Sequence, residues 1–188
     1  PGTGEVPVTF ARKRGPDVIQ PGDLVHVDFG ITYMRLNTDT QQHAYVLKEG
    51  ETDAPAFLKN ALKNGNRLQD IFTANFQQGR TGNEILKQSR EQAIGEGIKP
   101  SIYTHPIGYH GHGAGTTLGM WDSQQGVPHT GDYPLHLDTA YSIELNAATF
   151  IQEWDKEIRI MLEEDAYFDK TGVNYIDGRQ TKLILISR

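Results

Sequence analysis

The sequence predicts an α+β protein in which helices cover one face of a largely antiparallel sheet. Alternating apolar and polar residues mark strands near both ends of the chain, and two segments with helical periodicity lie between them. Strands grouped on either side of a helical block, without regular strand–helix alternation, are typical of this class. With 188 residues the chain can form a core of its own, and we expect a single domain over 1–188.

The first strand is predicted at residues 23–29, directly after a Pro-Gly turn. Its polar residues His26 and Asp28 share one face. The opposite face is apolar and consists of Val25, Val27 and Phe29. A second strand is predicted through Tyr45–Leu47, before Gly50.

Two helices are predicted in the middle of the chain, over residues 54–78 and about 82–96. Apolar residues recur at roughly helical spacing in the first, although Gly65 interrupts it. The second begins with Thr81 and Glu84, which have the spacing of a capping box, and it ends at two glycines.

Two further strands are predicted at residues 140–146 and 157–168. Strand parity places Glu144 and Glu163 on polar rows, whereas Glu164 interrupts an apolar row. A carboxylate beside apolar strand residues needs hydrogen-bond partners or a counter-ion if it is buried. Each carboxylate taken alone is also compatible with a solvated surface position.

Composition and charge exclude several classes of function. The net charge of −6, without a block of like charges, argues against nucleic acid or an anionic membrane as partner. The absence of cysteine excludes disulfides, thiolate catalysis and Cys-ligated zinc. No apolar run reaches the roughly 18 residues of a transmembrane helix. We expect a soluble protein, with the cytoplasm favoured as its location.

Histidines and glycines are concentrated in residues 105–115. Three histidines fall within eight residues, and four glycines are interleaved with them. Glycine lets a ligand approach the backbone closely, and neutral imidazole is a common metal ligand. The segment indicates a metal or catalytic site, with a flexible loop as the alternative. The remaining histidines lack such a context and are interpreted as structural or exposed: His26, His43, His129 and His136.

Taken together, these residues resemble the signature of the pita-bread metallopeptidases, which include methionine aminopeptidase, aminopeptidase P, prolidase and creatinase. That signature has two aspartates eleven residues apart, a histidine followed by another seven residues later, and two strand glutamates. The matching residues are Asp28, Asp39, His105, His112, Glu144 and Glu163. The resemblance covers about 22–175, and Phe29-Gly30 makes it more similar to aminopeptidase P and prolidase.

The resemblance implies a pita-bread fold with a site for two divalent metal ions. The implied ligands are Asp28, Asp39, His105, Glu144 and Glu163. Such an oxygen-rich set favours Mn²⁺, with Co²⁺, Fe²⁺ or Zn²⁺ as alternatives. The implied catalytic residue is His112, which would hydrogen-bond the scissile carbonyl oxygen.

The resemblance further implies a metallo-exopeptidase that hydrolyses an N-terminal peptide bond, with Xaa-Pro expected. Its partner would be a peptide substrate, not nucleic acid or a membrane. Two alternatives remain: creatinase-like hydrolysis of a small C–N substrate, and a non-catalytic peptide-binding module. Members of the last class typically lose the metal ligands, whereas all five are present here.

The chain departs from the family pattern at several positions. Pro106 replaces a usual glycine, Leu145-Asn146 replaces Glu-Pro, and the family's further substrate-facing histidine has no counterpart in residues 8–15. Only about 22 residues precede the first strand, too few for the helices of the family's first repeat. We therefore expect an N-terminally incomplete domain with an exposed apolar strand face. It would form a homo-oligomer or associate with its missing N-terminal segment, and the isolated chain would be weakly active or inactive.

Overall fold

A largely antiparallel sheet organises residues 18–187, the part of the chain that the computed structural model describes. The segment 8–15 lies outside these residues. The strands are β1 (Leu24–Phe29), β2 (Thr32–Tyr33), β3 (Leu36–Asn37), β4 (Thr40–Val46), β5 (Lys99–Ile102), β6 (His105–Pro106), β7 (Thr139–Ile151), β8 (Lys156–Asp169), β9 (Gly172–Tyr175) and β10 (Ile184–Ile186). The helices are α1 (Ala56–Ala74) and α2 (Gly82–Gly95).

The main sheet has the order β1-β4-β8-β7-β5, and every neighbouring pair in it is antiparallel. β6 and β9 add to β7 and β8, β10 pairs with β4 in parallel, and β2 and β3 form a separate hairpin. This confirms the predicted α+β class. Neither helix within residues 18–187 is long and apolar enough to span a membrane.

The strands differ from the prediction mainly in length. β7 pairs along its whole length with β8, and the two form one long hairpin that extends beyond both predicted strands. β4 begins at Thr40 rather than Tyr45. The sequence does not predict its first half, because this part has no alternation of apolar and polar residues: it contains Gln41, Gln42 and His43.

Both predicted helices are present with shorter bounds. α1 packs on the sheet through Gly65, where an added Cβ would lie 3.0 Å from side-chain atoms of both Ile160 and Leu162. The glycine that weakens the helical pattern therefore allows the close approach of helix and sheet. The capping box of α2 is also present: Thr81 and Glu84 each accept a hydrogen bond from the other's backbone N–H.

The two helices cover only part of the apolar side of the sheet. Behind β7 and β8, residues such as Ile143 and Ile160 are fully buried. Behind β1 and β10, by contrast, Val27 is 44%, Phe29 53% and Ile184 53% exposed. This second area, which also includes Ile186, is called the open apolar face below.

The backbone pairing between β4 and β8 is confined to one residue pair, Gln41 and Glu163. Beyond it the buried His43 accepts a hydrogen bond at Nε2 from the backbone N–H of Met161 (2.9 Å). The side chain of Gln180 bonds both the N–H and the carbonyl of His43, at 2.8 and 2.7 Å. Burial lowers the pKa of His43 to about 3, so the ring is neutral.

Glu164, which interrupts the apolar row of β8, contacts the same segment of the chain, around Gln180. Glu164 is buried and accepts a 2.7 Å hydrogen bond from the backbone N–H of Gln180. Burial, followed by the nearby Asp165 and Asp177, raises the pKa of Glu164 to about 7.

Replacing Gly65 with leucine should lower the free energy of unfolding by about 1–3 kcal/mol, because the side chain would overpack the helix–sheet contact. Equilibrium urea unfolding measures the change. Gly95→Leu is the matched control, since a Cβ at this helix end meets no atom within 4 Å. Equal unfolding midpoints for the two variants would contradict the close approach of α1.

Candidate metal centre

One transverse row of the sheet brings three of the expected ligands together. Asp28 pairs with Gln41 across β1 and β4, Gln41 pairs with Glu163, and Glu163 pairs with Glu144 across β8 and β7. Directly paired residues of antiparallel strands point to the same face. The three carboxylates therefore lie on one face, opposite the row that packs on the helices.

Asp39 and His105 reach the same cluster from the ends of short strands. Asp39 directly precedes β4, and its backbone N–H is 3.3 Å from Oδ1 of Asp165. His105 opens β6, where it pairs with Ser142 of β7. Its ring is buried, and Nδ1 lies 3.1 Å from the carbonyl oxygen of Pro106, which directs Nε2 elsewhere.

The five expected ligands form two overlapping groups. Ligand atoms of Asp28, Asp39 and Glu163 lie within 4.8 Å of one another, and so do those of His105, Glu144 and Glu163. Glu163 belongs to both groups. The structure thus brings together all five residues, although they come from positions more than a hundred residues apart.

The chemistry of this cluster fits divalent cations. His105 Nε2 is buried and has no hydrogen-bond partner among residues 18–187, and it lies 3.7 Å from Glu163 Oε1 and 3.9 Å from Glu144 Oε2. Burial, together with the charge of Glu163, raises the pKa of Glu144 to about 9 and that of Asp39 to about 6. Crowded carboxylates beside an unpartnered imidazole nitrogen would be stabilised by bound metal ions.

The expected catalytic residue His112 lies at the exposed side of the cluster. Its Nε2 is 4.0 Å from Asp39 Oδ2, and its ring stacks on His105 with centroids 4.1 Å apart. The hydroxyl of Tyr103 is 3.0 Å from Nδ1. Burial, and then the neighbouring His105, lower the pKa of His112. The neutral ring can therefore direct an Nε2–H towards the cluster if Tyr103 donates to Nδ1.

The His-rich loop is fixed by the hairpin of β2 and β3. Asn37 donates hydrogen bonds from its backbone N–H to the carbonyl of Gly108 (2.7 Å) and from Nδ2 to the carbonyls of Gly108 and Tyr109 (3.0 and 2.9 Å). Pro106, which departs from the family pattern, is buried and accepts a 2.7 Å bond from Gly113. These contacts favour an ordered loop over the flexible alternative.

Sequence reasoning missed two residues at the centre, Gln41 and Tyr103. Gln41 Nε2 donates to both Glu163 and Glu144, and its amide oxygen contacts His26, which we had interpreted as structural or exposed. Parity could have found Gln41, two positions after Asp39, if β4 had been extended to residue 40.

The chain matches a family model and is similar in fold to several solved structures. The family model described as Metallopeptidase family M24 matches residues 3–170, whereas no curated protein matches the sequence. Among solved structures, the fold is similar to an X-Pro aminopeptidase from Thermotoga maritima, with 19% identity, a TM-score of 0.68, and coverage of 92% of this chain and 44% of that one. An Xaa-Pro dipeptidase from Bacillus anthracis gives 22% identity, a TM-score of 0.65, and 92% and 44% coverage.

A methionine aminopeptidase from Rickettsia prowazekii is also similar, with 16% identity, a TM-score of 0.61, and coverage of 84% of this chain and 65% of that one. The chain spans less than half the length of the first two relatives. Their likeness confirms the pita-bread fold expected from the sequence. Because the family model matches nearly the whole sequence, the chain belongs to metallopeptidase family M24.

Proposed function

We propose that this chain is the catalytic part of a metallo-exopeptidase that uses two divalent metal ions to hydrolyse the N-terminal bond of a peptide. The observation that carries the proposal is the pair of ligand groups that share Glu163. Family membership supports peptide hydrolysis. The preference for an Xaa-Pro bond, which we also propose, rests on similarity to the X-Pro aminopeptidase and Xaa-Pro dipeptidase.

The two groups would each hold one ion. Asp28 would bind the first and His105 and Glu144 the second, with Asp39 and Glu163 contributing to both. Bound divalent ions supply a lowered pKa for water and polarisation of a carbonyl group. Four carboxylates and one imidazole favour Mn²⁺, with Co²⁺, Fe²⁺ or Zn²⁺ as alternatives.

His112 would stabilise the charge that develops on the scissile carbonyl oxygen. Its side chain is 60% exposed, so a substrate can reach it, and its ring is held against His105. Tyr103 is positioned to donate to Nδ1, and burial raises the pKa of that phenol, which keeps it protonated. The Nε2–H of His112 would then donate to the carbonyl oxygen, and this bond strengthens as negative charge accumulates.

The open apolar face would be buried by another polypeptide segment in the whole protein. We propose that this segment is supplied from outside the 188 residues, on their N-terminal side. Residues 18–23 lead directly into β1, the strand that carries Val27 and Phe29, and the two relatives described first are more than twice as long as this chain. Burying each large apolar side chain stabilises by roughly 1.5–3 kcal/mol.

Mn²⁺-loaded protein should contain about two ions per chain, and Asp39→Ala should lose at least one, because Asp39 belongs to the cluster through its contact with Asp28 and Glu163. Elemental analysis after desalting measures the stoichiometry. Asp122→Ala, at an exposed carboxylate outside the five ligands, is the control and should keep both ions. Full stoichiometry in Asp39→Ala would overturn the ligand assignment.

When it is loaded with Mn²⁺ and extended on its N-terminal side, the protein should cleave Xaa-Pro peptides faster than matched peptides without proline, and should leave N-acetylated peptides intact. Mass spectrometry of the products measures both. His112→Ala should lower kcat by about 10²–10³-fold while retaining the metal ions. Cleavage of creatine alone would identify a C–N hydrolase, and peptide binding without metal-dependent cleavage would identify a binding module; either result would overturn the peptidase proposal.

The isolated 188-residue chain should be at least about tenfold less active than a polypeptide extended on its N-terminal side, because substrate would be positioned less well. Activity at equal Mn²⁺ loading and mass by light scattering test this. A monomeric 188-residue chain with the activity of the extended polypeptide would contradict the proposal. A fully active homo-oligomer would instead identify a second copy as the cover.

A further inference from the structure

Gln41 occupies the middle of the carboxylate row and contacts two of its acids. Its side chain is almost completely buried, with 3% of the residue exposed. Nε2 lies 2.7 Å from Glu163 Oε2 and 3.0 Å from Glu144 Oε1, and Oε1 lies 2.9 Å from His26 Nε2. One neutral amide therefore contacts both Glu163, which belongs to both ligand groups, and Glu144, which belongs to one of them.

The orientation of this amide is determined by its neighbours. The carboxylate of Glu163 can only accept hydrogen bonds, so the NH₂ group of Gln41 must face it, and the same NH₂ group lies 3.0 Å from Glu144 Oε1. The amide oxygen then requires a donor, and His26 Nε2–H supplies it. The ring of His26 is itself packed on His43, with centroids 5.0 Å apart. These contacts leave Gln41 a single favourable orientation.

The fixed amide determines which carboxylate oxygens remain available. It occupies Oε1 of Glu144 and Oε2 of Glu163. The other oxygens, Oε2 of Glu144 and Oε1 of Glu163, are those that approach His105 Nε2 at 3.9 and 3.7 Å. Ser142 Oγ also donates to Glu163 Oε1 (2.7 Å), so both oxygens of this acid are restrained.

We propose that Gln41 is a positioning residue that holds Glu144 and Glu163 in the orientation that binds metal, and that His26 acts through Gln41 by fixing its amide. The inference rests on the proposed function only in that the cluster binds divalent ions. A neutral donor suits this position for two reasons. An apolar side chain would leave the two buried carboxylates without a hydrogen-bond donor, and an acidic side chain would repel them.

The test uses Gln41→Met, which keeps a long unbranched side chain but removes the amide. Isothermal titration of the metal-free protein with Mn²⁺ should show affinity weakened by about 10- to 100-fold, the usual effect of losing a group that orients a metal ligand. Gln42→Met is the matched control, because Gln42 lies on the other face of β4 and its amide approaches Glu164 instead. It should bind Mn²⁺ within about twofold of the original protein.

His26→Ala tests the second part and remains informative if Gln41→Met does not fold. By itself it should weaken Mn²⁺ binding by more than about twofold, although less than Gln41→Met does. If Gln41→Met folds, the double variant should bind no more weakly than Gln41→Met alone, because both changes remove the same restraint. Additive losses would overturn the role of His26. The electron paramagnetic resonance spectrum of the Mn²⁺-loaded protein should change in Gln41→Met and not in Gln42→Met.

The outcomes separate this inference from the peptidase proposal. Unchanged Mn²⁺ affinity in Gln41→Met and His26→Ala would overturn the positioning role while leaving the metal centre intact. The expected affinities, without any peptide cleavage by the N-terminally extended polypeptide, would support the positioning role and overturn the proposed peptidase. A lack of Mn²⁺ binding by the original protein would overturn both.

Discussion

The crowding of carboxylates on one row of the sheet is the constraint on which the rest of this structure depends. Asp28, Glu144 and Glu163 lie on three strands, and Gln41 of β4 connects Asp28 to the other two. Burial raises the pKa of Glu144 to about 9. Like charges at this separation oppose folding unless donors or cations offset them. The buried amide of Gln41 and the hydroxyl of Ser142 supply part of that compensation.

The helices behind the sheet explain how the ligands keep their places. In the long hairpin of β7 and β8, each ligand alternates with residues that the helices bury: Glu144 stands between Ile143 and Leu145, and Glu163 follows Leu162. Moving either acid would therefore disturb a packed core, and such cores tolerate little displacement. The close approach of α1 at Gly65 makes this support direct. Precision at the site is thus obtained from apolar packing on the opposite face.

The sequence predicted the features that depend on local pattern. Parity distinguished Glu163 from Glu164 because the alternation in β8 is regular, and the fold class followed from the order of periodic segments. Contacts between distant residues left no such signal. Gln180 caps His43 across more than a hundred residues, and the bond between Tyr103 and His112 depends on how the loop folds back. The length of β4 was underestimated because its inward residues are polar hydrogen-bonding groups rather than apolar ones.

The ligands also come from opposite ends of the described chain, since Asp28 lies in the first strand and Glu163 in the long hairpin near the C-terminal end. An ion shared by these strands would act as a removable cross-link. In an unfolded chain, holding the two ends together would carry an entropic penalty that increases only slowly with loop length, by about 0.6 kcal/mol per doubling. The backbone pairing between β4 and β8 is confined to one residue pair, Gln41 and Glu163. The cation would therefore reinforce the shortest strand pairing of the main sheet.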